Sequence, residues 1–147
     1  MTQEEKQLLL KDLCVRLLYG VKIYSDIGGD NTLLGIYGDR VFTTCEEPDK
    51  HNDYPAECIK PYLRPMSSMT ESEIDKLFDI LHIDKDGNDD DWIKINDVVG
   101  IKFFFPTGKW VEDVAEAYDY LNSIHIDYRG FINKGLALEA PDNMYKQ

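Results

Sequence analysis

The sequence predicts an α+β fold: an N-terminal helix, a small curled antiparallel sheet, then helix, strand, helix and strand. Three observations carry this. Leu10, Leu13, Cys14, Leu17 and Leu18 recur at helical spacing near the start of the chain. Between residues 21 and 63, short alternating runs are punctuated by Gly, Asp and Pro. Beyond residue 70, two more helical stripes are separated by further alternating runs, and no internal repeat is found.

The first helix is expected over residues 3–18. Thr2 with Glu5 three residues on makes a capping box, and Gly20 supplies a left-handed stop. Val21 and Ile23 alternate with Lys22 and Tyr24, and Gly28–Asn31 reads as a turn. Leu33–Tyr37, a Gly38–Asp39 turn and Val41–Thr44 then make a hairpin. Glu46–Pro55 is polar and is expected to be an exposed loop, whereas Glu57–Leu63 returns to strand. Pro61 pushes that strand to an edge or to its end.

Thr70 and Glu73 form a second capping box, with Met69 placed to staple onto Ile74. Ile74, Leu77, Phe78 and Leu81 give a helix over about 71–81. Ile93, Ile95, Ile101, Phe103 and Phe105 read as one or two strands. Val111, Val114, Ala115, Tyr118 and Leu121 make a third helix, and Ile124, Ile126 and Tyr128 alternate as a strand. Leu136 and Leu138 close the chain as a last strand. The 147 residues are expected to form a single domain, with sublobes at 1–66 and 67–147.

Charge narrows the function. With 28 acidic and 16 basic residues the net charge is −12, which opposes direct binding to nucleic acid or to anionic membrane. The excess is local: residues 70–147 carry 17 acids and 8 bases, while residues 1–69 carry 11 and 8. A surface of this kind can steer onto a basic protein or imitate nucleic acid to inhibit a host enzyme. No apolar run approaches a membrane span, and Met1–Lys6 is polar, so a cytoplasmic location is expected.

Chemical motifs are few. Asp84, Asp86 and Asn88 open like a calcium-binding loop, with Asp90 as a further oxygen donor, but Asp89 stands where the glycine should be and Ile95 where the bidentate glutamate should be. Any divalent-cation site here is weak, with calcium the sole cofactor in view. Cys14, Cys45 and Cys58 read as reduced thiols, since Cys45, His51 and Cys58 fit no closed zinc pattern. His51, His82 and His125 are singletons, with His125 expected to sit exposed at a helix end, and no catalytic residue is assigned. Asp127, Tyr128 and Arg129, followed by Gly130, are the most site-like run, joining carboxylate, phenol and guanidinium at a helix-to-strand junction. They could bind an anionic or planar ligand, or pair among themselves.

Tyr19–Val21, Ile59–Thr70 and Asp119–Ala140 together resemble a family of uncharacterised small proteins from gut anaerobic bacteria, their prophages and phages. The resemblance runs nearly end to end, varies in the middle, and departs at Leu18, where the family tends to have Pro. It implies an accessory role on a mobile element, and brings no activity, cofactor or catalytic residue with it. The expectation is therefore a non-catalytic interaction or regulatory protein with a protein partner, its contact surfaces the acidic segment 84–91 and the junction around Tyr128 and Arg129. A small-ligand binder or enzyme with a pocket near Tyr128 and Arg129 is the alternative from a different class.

Overall fold

In the computed structural model, which describes residues 1–47, 50–81, 94–96, 100–102 and 111–146, helix α1 spans Gln3–Arg16. Its capping box forms as the spacing demands: the Thr2 amide donates to Glu5 at 2.6 Å and the Glu5 amide to Thr2 Oγ1 at 3.1 Å. The buried face keeps part of the expected stripe, with Leu13 buried and Leu10 and Leu17 packed against the core, but it is turned away from the rest. Leu9, Asp12, Leu13 and Arg16 point inward, while Cys14 is exposed and Leu18 is 90% exposed. Two causes turn the face. An i,i+4 pair lets Asp12 and Arg16 enter the core together, Nε to Oδ2 at 2.7 Å. Leu17–Tyr19 then tightens into a 3₁₀ turn, whose shorter period swings Leu18 outward before Gly20 stops it at φ 65°.

The chain divides into two units, Met1–Leu63 with Phe131–Gln147, and Arg64–Gly130. The first unit holds α1 and a six-stranded sheet. Strands β1 (Lys22–Ser25), β2 (Gly29–Tyr37), β3 (Arg40–Thr44), β4 (His51–Pro55), β5 (Ile59–Leu63) and β8 (Leu138–Glu139) are ordered β4-β3-β2-β1-β5-β8. The first five pair antiparallel, but β8 pairs parallel with β5, so the sheet is mixed. The polar stretch expected to be a loop ends in edge strand β4, in register with β3 from Arg40–Pro55 to Thr44–His51. Its polarity is what an exposed edge needs. Pro61 pairs with Ile23 inside the sheet rather than at its edge, and β8 begins pairing only at Tyr62. A bulge at Leu33–Gly35 interrupts the β2–β3 register. Leu9 and Leu13 of α1 share one core with Ile23, Leu33, Val41 and Ile59 of the sheet.

The C-terminal segment closes this unit. Ala140 N–H donates to Leu63 O at 2.8 Å. The Tyr145 hydroxyl accepts from Lys22 N–H at 2.9 Å and donates to Tyr62 O at 2.8 Å. It bridges β1 and β5 one residue pair past the end of their ladder at Ile23–Pro61. Burial pushes this phenol up to about 12.

The second unit contains α2 (Glu71–Ile80), a hairpin of β6 (Lys94–Asn96) and β7 (Gly100–Lys102), and α3 (Val111–Ser123). The Thr70–Glu73 capping box forms, and Met69 joins Ile74 and Leu77 in the same apolar cluster as Ala117, Leu121 and Ile126. The strand expected over Ile124–Tyr128 is a turn, with one parallel bridge between Ile126 and Arg64. Asp84, Asp86, Asn88 and Asp90, together with His82, Phe103 and Phe105, lie outside the described residues.

Candidate functional site

Among the described residues of the second unit, the end of α3 gathers buried polar side chains at one turn. Ile126 N–H donates to Leu121 O at 3.0 Å and His125 N–H to Asn122 O at 3.1 Å, a Schellman closure. Leu121 and Ile126, the pair that packs across such a motif, are both fully buried. The position that ordinarily takes glycine is His125, at φ 62°. Its side chain is buried, not exposed at the helix end.

Arg64, which sequence reading passed over, holds this turn in place. Its N–H donates to His125 O and its carbonyl accepts from Asp127 N–H, both at 2.8 Å. Its guanidinium forks onto Glu73 at 2.8 and 2.9 Å, and also reaches Ser68 O at 2.9 Å and Ile124 O at 3.4 Å. The arginine holds the Glu73 carboxyl below its ordinary range, with the Thr70 amide helping. One residue thus ties the connector before α2, the first turn of α2 and the last turn of α3 into one base.

On that base stand the residues singled out from sequence. Asp127 turns inward and is buried. The Tyr128 hydroxyl donates to Oδ1 of buried Asn122 at 3.0 Å. Its ring tilts against Tyr118, with centroids 5.0 Å apart at 49°. The Arg129 guanidinium lies 5.1 Å from the Tyr128 centroid. Tyr118, Tyr128 and Arg129 therefore stack in series, and burial pushes the Tyr118 phenol up. Two residues on from Tyr118, the Tyr120 ring carries the Lys76 ammonium of α2 at 4.7 Å. Such a stack offers flat apolar area and an oriented fork that suits a carboxylate or a planar group.

The run Asp127–Arg129 was readable as a cluster because its members are consecutive. Tyr118 and Asn122 could have been found only by assuming that α3 ends at residue 123 and folds its next turn back on itself. Among the described residues, no group of three or more His, Cys, Asp or Glu is placed to hold a metal ion. His51 packs edge-on against Phe42 at 5.3 Å, and Cys45 Sγ donates to Glu47 O at 3.3 Å. Among the same residues, no helix is long and apolar enough to cross a membrane. Comparison with protein-family models, with curated proteins and with solved structures finds no match to this chain.

Proposed function

We propose that this chain is a non-catalytic interaction or regulatory protein, an accessory factor of phage or mobile-element type. It acts in the cytoplasm on a protein partner, and the surface around Tyr128 and Arg129 makes the contact. The observation that carries this reading is the Tyr118–Tyr128–Arg129 stack on a hydrogen-bonded base. Tyrosine and arginine are enriched among interface hot spots: tyrosine presents large area with few rotatable bonds to freeze, and arginine adds an oriented set of charged donors. The net charge of −12 supports a basic partner, and it opposes a nucleic acid. The mobile-element part rests on the sequence resemblance alone.

The test is capture of partners from producing cells by wild type, Arg129→Ala and Tyr128→Ala, with melting temperatures measured in parallel. A partner held by wild type at low salt, and lost from Arg129→Ala while that variant melts normally, supports the reading. Removing a central arginine anchor is expected to cost about 2 kcal/mol, roughly a thirtyfold loss of affinity. Equal capture by all three proteins contradicts it. A small-molecule thermal shift that vanishes in Arg129→Ala would replace the protein partner with a ligand.

A further inference from the structure

The β1–β2 hairpin, in the first unit, ends in a turn that is fixed far more tightly than its length requires. Buried Ser25 accepts through Oγ from the amides of Ile27 and Gly28, at 3.2 and 3.3 Å. Asn31 Nδ2 donates to the carbonyls of Gly28 and Gly29, at 3.1 and 3.2 Å. Asp26 N–H reaches across to Cys58 O at 3.3 Å. The Tyr62 hydroxyl donates to Asp30 Oδ1 at 2.8 Å. Below the turn, a Cβ built on Gly28 would overlap the Tyr54 hydroxyl, so the backbone rests directly on that ring.

What this scaffold presents is an isoleucine. Ile27 is 74% exposed at the tip, flanked by exposed Asp26 and Asp30. A single exposed apolar residue is ordinary on a mobile loop. Here every neighbour is held by a hydrogen bond or by packing, so the ordering entropy of binding is already lost before any partner arrives. The two carboxylates restrict what can dock: a pocket with acidic walls would repel them, and a neutral one would leave them facing apolar surface.

We infer that the β1–β2 tip is a docking peg, Ile27 its apolar anchor and Asp26 and Asp30 its acidic flank, for a partner protein with an apolar pocket rimmed by lysine or arginine. The inference goes beyond the reading of Tyr128 and Arg129, and its test uses residues of the first unit alone.

A photo-reactive phenylalanine analogue is placed at position 27 of the full chain in its producing cells. A control carries it at Tyr37, which is 81% exposed at the opposite end of β2. One discrete adduct is expected from position 27 and none of that mass from position 37. Asp26→Asn with Asp30→Asn should cut its yield about fivefold and remove its salt dependence. Ser25→Ala should speed amide exchange at Ile27 and Gly28 and lower the yield again. No adduct, the same adduct from position 37, or a yield indifferent to the two aspartates overturns the proposal. An adduct of twice the chain's mass also overturns it, by assigning the peg to self-association.

Discussion

Arg16 in the first unit and Arg64 in the second each grip a carboxylate, and their surroundings differ. Arg16 and Asp12 are fully buried on one face of α1, among leucines that pack onto the sheet. Arg64 and Glu73 are half-buried, and the arginine spends its remaining donors on carbonyls of two other segments. The first pair is sealed within a core; the second ties together segments that end at a surface. The pattern extends further. In the first unit, Ser25 and Tyr145 close turns and ladder ends. In the second, among the described residues, buried polar side chains collect within residues 122–127, just before a cluster of tyrosine and arginine. Among the described residues, buried polar side chains are spread along the first unit and gathered at one turn in the second.

The sharpest way to break this contrast is Asp12→Ala, which strands a buried guanidinium. It should cost about 3–5 kcal/mol, or roughly 10 °C in melting temperature. Replacing the pair together, as Asp12→Leu with Arg16→Met, should cost less than Asp12→Ala alone, because no unpaired charge remains. A smaller cost for the single variant would mean that the pair is not sealed.

Arg64→Ala comes next, at roughly 2–3 kcal/mol, since it frees Glu73 and several carbonyls. Its acid limb should change too. Glu73 has its carboxyl lowered by Arg64, so its stabilising contribution is present above the ordinary glutamate value and is lost as pH falls through the depressed one. Thermal unfolding followed from neutral to acid pH should lose part of its slope in Arg64→Ala.

Tyr145→Phe should cost about 1–2 kcal/mol. Its signature lies at the other end of the scale. The folded phenol is raised from its ordinary 10.0 to about 12, so its contribution is complete below 10.0 and disappears as pH climbs toward 12. The variant should therefore unfold with a shallower alkaline edge than wild type.

The smallest effects compare two equivalent backbone positions. Gly20 and His125 both stand just past a helix end with positive φ, at 65° and 62°. No atom lies within 4 Å of a Cβ on Gly20, so Gly20→Ala should cost about 1 kcal/mol from backbone conformation alone. His125→Gly relieves the same strain but gives up buried contacts, and should fall within about 1 kcal/mol of wild type. Denaturant midpoints resolve both.

The helix starts were legible because a capping box is local: Thr2 with Glu5, and Thr70 with Glu73, needed no tertiary information. The buried face of α1 was legible at Leu10, Leu13 and Leu17 but not at Asp12 and Arg16, because two charged residues enter the core only as a pair. Strand β4 was hidden by the polarity that protects an edge. The alternation at Ile124, Ile126 and Tyr128 misled because a left-handed residue at His125 resets which side chains face inward. At the site, Asp127–Arg129 could be picked out by proximity in sequence, but Asp127 proved to be an inward residue and Arg64, 63 residues upstream of Asp127, the organiser.

Buried Asn122, His125, Ile126 and Asp127 hold the turn, and the proposed contact is made by Tyr128 and Arg129 on top of it. Arg129→Ala tests that contact most directly, with partner capture and melting temperature read on the same preparation. Capture should be lost while the melting temperature stays within about 2 °C of wild type, as expected for a surface substitution worth under about 0.5 kcal/mol. Capture that persists while the melting temperature falls by several degrees would contradict it.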